Sequence, residues 1–366
     1  MNKPLKIYMR NTAIKMMPES IDKLIGLISL ETSSSKKLQY LPSKIFMLPN
    51  VSAFKIGGCS QLLESFRSSI HSLSAASVSP TLKTLHLENA TLSDEDLPAI
   101  LNCFPKLEEL IASKNDFIFT ACIKEHVHLT SVDLSHCMML QKIPECPNLR
   151  ILKVNHCVNL KEISEVPFIH KLDARHTSLT RETSDILWFQ AAKGMRELEV
   201  VMPQTEIPEW FDFIDNTENP QFWARGKLPI FALALVFQDV TGWGRQGPHH
   251  IIQLQLVINS SRCVSCKDYK FRIATNHVLI CDLRLLFSEE EWLGLNAFLE
   301  HDDWNVVQVS YQAPPPLILS QWGVYVYDEG ANMEDVKFVC PDPKYLEMSP
   351  PIVVSTKKDL SRNEES

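Results

Sequence analysis

Several kinds of chemistry find no foothold in this sequence. Its 366 residues contain no GxxxxGK[ST] phosphate loop, no GxSxG elbow, no HExxH pair and no Gly-rich dinucleotide fingerprint. Nucleotide binding by a phosphate loop and the commonest hydrolytic mechanisms are therefore not expected, and neither is a cofactor. No apolar run approaches the ~18 residues that a membrane span needs. The best candidate, Leu228–Phe237, is short and contains Pro229. The opening MNKPLKIYMRNTAIK lacks the apolar stretch of a secretion signal. Ten cysteines are too sparse for a disulfide scaffold and read as reduced thiols. Without secretion, the glycosylation patterns at Asn89 and Asn259 carry no weight. Basic residues are outnumbered, 36 against 44, and the net charge of −8 disfavours nucleic acid or an anionic membrane as partner. These absences lead us to expect an intracellular, cytoplasmic or nuclear protein that is not an enzyme.

Small clusters of reactive side chains do not change that expectation. Cys263 and Cys266, with His277 and Cys281, give a C-x2-C-x10-H-x3-C spacing close to that of structural zinc sites. His277 and Cys281 fall within an apparent strand, however, where core or edge thiols are the simpler reading. Glu289, Glu290 and Glu291 sit where acids favour a helix start. The adjacent His249 and His250 point to opposite faces of a strand and cannot share one metal.

What the sequence has is a repeat. The frame LxxLxLxx(N/C/T)xL recurs, apolar at positions 1, 4 and 6. Its clearest copies begin at Leu82, Leu129 and Leu149, with weaker ones at Pro4, Leu27, Val51, Leu107 and Ile169. Consecutive starts lie 20 to 31 residues apart, and all but the longest interval fit the ~20–29-residue period of leucine-rich repeats. Positions 4 and 6 alternate on a short strand, so stacked coils bury them together. Position 9 turns the chain off the strand; Asn115, Cys59, Cys137, Cys157, Thr12 or Thr177 stands there, beside backbone groups of neighbouring coils. Met17-Pro18, Leu41-Pro42 and Ile143-Pro144 suit an irregular outer face. The Ser-rich FRSSIHSLSAASVSP is expected to bulge from one coil.

Positions 3, 5 and 7 must then face out from the strands. They supply Lys6, Tyr8 and Arg10; Thr84, His86 and Glu88; Ser131, Asp133 and Ser135; Lys153 and Asn155; and Lys171, Asp173 and Arg175. Their chemistry varies from coil to coil, as a partner-reading concave surface requires and a purely structural array does not.

After Leu187 the frame is lost. Arg181–Met195 reads as a capping helix that ends a solenoid over residues 1–195. Residues 196–347 read as short strands, Leu228–Phe237, His249–Asn259, His277–Phe287, Asp303–Gln312 and Trp322–Glu329, with Ser288 capping a helical turn. We therefore expect an α/β leucine-rich-repeat solenoid of about eight repeats followed by an all-β antiparallel sandwich, and a disordered tail over 348–366.

EIPEWF (Glu206–Phe211), then FWARGKLPIFALALVF, then WGVYVYDEGANMEDVKF resemble the domain that follows the repeats in plant TIR-type nucleotide-binding leucine-rich-repeat receptors, the C-terminal jelly-roll/Ig-like domain. The Cys-type repeats with IPE and LPS endings resemble the same proteins. The resemblance implies a β-sandwich in which Ile207, Pro208, Glu209, Trp210 and Phe211 play a structural part, with Pro208 pinning a turn before two anchoring aromatics. It further implies a module that binds a pathogen effector or a host protein, or contacts other receptor domains, and regulates the receptor's switch in plant defence. Such receptors begin with an NAD-cleaving TIR domain and a nucleotide-binding switch, and this chain lacks the phosphate loop of the latter. The loop Thr241–Gly247, with Trp243 and Arg245, suits a contact hot spot. The alternatives are a truncated repeat adaptor or decoy that binds a host receptor, a nucleic-acid-binding sandwich, and an extracellular repeat receptor without its signal and cap cysteines.

Overall fold

The structure is a computed structural model that describes residues 4–73, 78–192, 197–239, 250–259, 261–262, 269–299, 303–314, 317–327 and 333–342. The loop with Trp243 and Arg245, the pair Cys263 and Cys266, and the tail expected to be disordered lie outside these residues. The chain divides into two compact units, 1–191 and 192–366.

In the first unit each frame copy forms one short strand. These are β1 (Leu5–Tyr8), β2 (Leu27–Glu31), β3 (Ala53–Lys55), β4 (Thr84–His86), β5 (Glu109–Ile111), β6 (Ser131–Asp133), β7 (Ile151–Lys153) and β8 (Lys171–Asp173). Each pairs in parallel with the next. The residues at position 4 of coils two to eight, from Leu30 and Phe54 to Leu152 and Leu172, are at most 1% exposed. Burying a side chain of this size is worth ~1.5–3 kcal/mol, and no coil does so without its neighbours.

One backbone pattern links the coils. The N–H of position 6 donates to the C=O of position 5 in the following coil, from Met9 to Glu31 (2.7 Å) through to Val154 to Asp173 (2.8 Å). The N–H of position 8 donates to the C=O of position 7 in the same way, from Asn11 to Ser33 (3.0 Å) through to His156 to Arg175 (2.8 Å). To aim that second bond, position 8 adopts a left-handed backbone in every coil: Asn11, Ser34, Gly58, Asn89, Lys114, His136, His156 and His176, with φ between 51° and 70°. Asn and Gly accept this conformation readily; Lys and His accept it at a cost. The last three coils carry a compensating contact. The imidazoles of His136, His156 and His176 stack at centroid separations of 4.4 and 4.5 Å.

In every coil but the fourth, where Ala90 stands there, position 9 satisfies a carbonyl that the strand leaves open at position 6. The thiols of Cys59, Cys137 and Cys157 donate to the position-6 carbonyl of the preceding coil at 3.2, 3.5 and 3.1 Å. Burial pushes the Cys137 thiol up to about 12 and raises that of Cys157 further, so both stay neutral donors. Asn115 does more: it donates to Leu87 O (3.0 Å) and Ala112 O (2.8 Å) and accepts from the N–H groups of Ala90 (3.0 Å) and Leu92 (3.1 Å). Thr177 turns back to Ala174 O in its own coil (2.8 Å).

Two helices depart from the expected outer face. The Ser-rich insertion does not merely bulge. It carries α1 (Leu63–Ser72), held by the buried Phe66 and Ile70, and the next coil carries α2 (Asp96–Cys103). Arg67 and Asp96 join them through two 2.7 Å bonds. The helix α3 (Arg181–Ala192) follows the last coil with Ser184 and Leu187 buried.

The described residues of the second unit form two antiparallel sheets. One orders β9 (Glu199–Met202), β15 (His277–Asp282), β12 (Phe231–Asp239), β17 (Leu317–Val326) and β10 (Phe213–Asp215) side by side. In the other, β13 (His250–Ile258) pairs with β14 (Lys270–Ile273) and β16 (Asn305–Gln312), which continues to β11 (Gln221–Ala224) and β18 (Val336–Lys337). Leu233, Leu235 and Leu279 of the first sheet share one apolar core with Leu254, Leu256 and Val307 of the second. The strand expected to run to Phe287 stops at Asp282. That carboxylate accepts the Arg284 N–H (2.9 Å) and starts a 3-10 turn. Ser288 and Glu291 form a capping box on the short helix α4 (Glu289–Gly294), which accounts for the run of acids there.

Replacing Asn115 with Ala leaves the N–H groups of Ala90 and Leu92 without their acceptor. It should cost about 2–3 kcal/mol in urea unfolding, whereas Asn115→Cys, which reproduces the other coils, should cost less. His156→Asn keeps a left-handed-tolerant residue but removes both ring stacks, and a loss of about 1 kcal/mol is expected in the same measurement.

Candidate functional site

The site expected from the frame is the concave strand face of the first unit, and its two ends differ. At the β1 end Lys6, Tyr8 and Arg10 are exposed, Tyr8 to 62%. The Arg10 guanidinium pairs with Glu31, a buried carboxylate of the next coil, and this contact raises the Arg10 pKa.

In the middle, Thr84, His86 and Glu88 are half-buried. Burial first, and then the charge of Lys55, hold the His86 pKa below its ordinary value against the opposing pull of Glu109 and Glu31. His86 Nε2 lies 3.9 Å from Glu109 Oε2, and Glu88 pairs with Lys114 at 2.7 Å. On the two coils before His86 the flanking rows are low: Ser29, Ser33, Ala53 and Gly57. A Cβ added at Gly57 would lie 3.0 Å from the Cβ of Glu88.

At the far end the side chains bind one another. Asp133 accepts the Ser135 N–H (3.0 Å) and lies 3.7 Å from Lys153 Nζ. Asn155 donates to Ser135 Oγ (2.8 Å) and to Asp173 Oδ2 (3.1 Å). Arg175 reaches the two oxygens of Asp173 at 2.7 and 2.6 Å. Ser131, Asp133, Lys153, Asn155, Lys171 and Asp173 are half-buried, but Ser135 is 7% and Arg175 only 3% exposed. The expectation that these two present themselves to a partner is therefore corrected: frame parity puts them on the concave side, and the Asn155 amide of the next coil then covers Ser135 while the Asp173 carboxylate of its own coil holds Arg175 under cover.

Glu31, Lys55 and Glu109, on coils whose outward residues the sequence reading did not single out, belong to the same face. The offset that yields Lys6 and His86 would have found them.

In the second unit EIPEWF is a turn that seats on β17. Ile207 N–H donates to Gln321 Oε1 (2.6 Å), Phe211 N–H to Pro208 O (3.2 Å), and Val326 N–H to Asp212 Oδ2 (2.7 Å). The Trp210 ring meets Tyr325 edge-on at 5.4 Å, and Glu209 faces solvent. Gly323 permits the approach, since a Cβ there would lie 3.2 Å from Ile207 Cγ2 and 3.0 Å from Phe213 O. His277 and Cys281 are buried in β15, His277 bonded to Thr275 O (2.7 Å). Among the described residues no group of three or more His, Cys, Asp or Glu side chains is arranged to hold a metal, and no helix is long and apolar enough to cross a membrane.

Comparison with known proteins bears on the first unit. Residues 1–182 match the family of leucine-rich repeats of disease resistance proteins like RPS4B. The disease resistance protein RPS4B of Arabidopsis thaliana is 27% identical over 143 residues, which are 38% of this chain and 11% of that protein. Among solved structures, the leucine-rich-repeat domain of the type III effector XopL is similar over 48% of this chain and 58% of its own (18% identity, TM-score 0.33). An internalin of Listeria monocytogenes is similar over 48% and 62% (12% identity, TM-score 0.27). Residues 1–182 thus form a leucine-rich-repeat region similar to that of plant disease resistance proteins.

Proposed function

We propose that the chain is a protein-recognition module of a plant intracellular immune receptor of the TIR type, which binds a pathogen effector or a host protein through the concave face of its repeats. The second unit, on this reading, is the receptor's post-repeat jelly-roll/Ig-like domain, a β-sandwich anchored by EIPEWF. The observation that carries the reading is the concave face itself. It stands on a similar repeat region, and its outward residues change chemistry in every coil while the buried frame beneath stays constant. Binding shifts a receptor only if the partner prefers the active arrangement, so the contact must distinguish two states of the whole receptor.

The exposed Tyr8 and the half-buried His86 beside the low floor are the best contact points, because Asp133, Lys153, Asp173 and Arg175 already satisfy one another. Paired groups of that kind contribute little to binding a partner.

Co-immunoprecipitation from plant cells against a panel of pathogen effectors tests this. The double variant Tyr8→Ala/His86→Ala should lose an effector that the unaltered chain captures, a weakening of at least about tenfold, or ~1.4 kcal/mol, with an unchanged melting temperature. Capture that survives this variant and the charge reversal of Lys55 would remove the concave face from the account.

A further inference from the structure

Most charges of the concave face are settled in pairs. Arg10 closes on Glu31, Lys153 lies 3.7 Å from Asp133, and Arg175 reaches Asp173 at 2.6 Å. Lys114 meets Glu88 at 2.7 Å. Lys55, at position 5 of the third coil, stands outside this pattern. Among the described residues its ammonium has no carboxylate in ion-pair contact and no hydrogen-bond acceptor.

The strand register accounts for the exception. Glu31 is the neighbour of Lys55 on the second coil, and His86 its neighbour on the fourth. Arg10 takes the Glu31 carboxylate from the other side, and Glu31 is only 4% exposed. The imidazole supplies no counter-charge; after burial, the charge of Lys55 is the next cause that holds the His86 pKa down. Glu88 is held by Lys114, and Glu109 faces His86 at 3.9 Å. Lys55 is thus a half-buried cation whose neighbouring acids are engaged elsewhere.

An ammonium in that position has given up part of its hydration without gaining a partner. Attraction between opposite charges strengthens as water is excluded, so an anion gains more here than beside a fully solvated lysine. The flanking Ser29, Ser33, Ala53 and Gly57 leave room for the approach, and the unpaired charge defines the spot.

On the reading that the concave face binds a protein partner, we propose that Lys55 receives one of that partner's carboxylates, an aspartate or glutamate side chain that enters between the second and fourth coils. A phosphate fits less well. It seeks several donors or a guanidinium fork, whereas this spot offers one ammonium and the Arg10 guanidinium is held by Glu31. The second negative charge of a phosphate would also be set against Glu31 and Glu109.

Selection of phage-displayed random peptides on the full chain tests the assignment, after depletion of the library on a Lys55→Met chain. Lys55→Met keeps the unbranched stem, and its melting temperature should be unchanged. The enriched peptides should share one Asp or Glu. Its change to Asn or Gln should weaken binding to the unaltered chain at least tenfold, and a Lys at that peptide position should restore binding to Lys55→Glu. No enrichment, or enriched peptides without a shared acid, would overturn the proposal. So would equal enrichment of acidic peptides in a parallel selection for dependence on the exposed Lys6, since any lysine would then serve. Tighter binding of a peptide with phosphoserine in place of the selected acid would assign the spot to phosphate instead. Peptides from an undepleted selection separate the two levels. Binding lost with Tyr8→Ala/His86→Ala but undiminished by Lys55→Met removes the carboxylate and leaves the concave face standing, and indifference to both variants removes both.

Discussion

The first unit depends on one hydrogen-bond relay, in which each coil's position-6 and position-8 N–H groups enter the carbonyls of the next. A strand of three to five residues has too few bonds to hold itself, and the relay adds a bond just past the strand's end, where the chain must already be turning. The left-handed residue at position 8 makes that bond possible, and in every coil but the fourth, with its Ala90, the side chain at position 9 caps the carbonyl that the turn strands. Together they fix the angle at which each coil leaves the sheet. The concave face therefore presents its rows at even spacing while their side chains vary freely.

That freedom has been used differently along the array. Near β1 the outward side chains are exposed, and on the two coils before His86 the flanking rows are reduced to Ser, Ala and Gly, leaving a low floor on one side of a histidine whose pKa burial lowers. Toward β8 the rows are long, charged and mutually bonded, and Arg175 lies under its neighbours. On the proposed reading the β1 end and the middle of this face meet a partner, while the far end ties the last coils together. The His136–His156–His176 stack does the same on the adjoining edge.

The frame was legible because apolar residues at positions 1, 4 and 6 recur where coils stack, and position 9 because, Ala90 apart, it holds small polar or thiol side chains that reach a carbonyl. Position 8 was not legible. Asn, Ser, Gly, Lys and His all meet a backbone demand that leaves no hydropathy signal, so the alignment of His136, His156 and His176 emerges only in the fold. The helix α1 was hidden by its serines, which favour turns locally and are overruled by the burial of Phe66 and Ile70. Frame parity placed Ser135 and Arg175 on the correct side of the strand, but exposure depends on what adjacent coils extend over them, and parity is silent on that. In the second unit, period-two alternation located β13 and β16 well. It overran β15, where an aspartate that caps a turn looks no different in sequence from one that ends a strand.

Residue-resolved amide hydrogen exchange tests the relay most directly. If the relay holds the first unit together, the position-6 and position-8 amides, Leu134 and His136 or Val154 and His156 among them, exchange only through global unfolding of that unit and share one protection free energy. Position-8 amides that exchange by local fraying, orders of magnitude faster than the position-6 amides beside them, would contradict it.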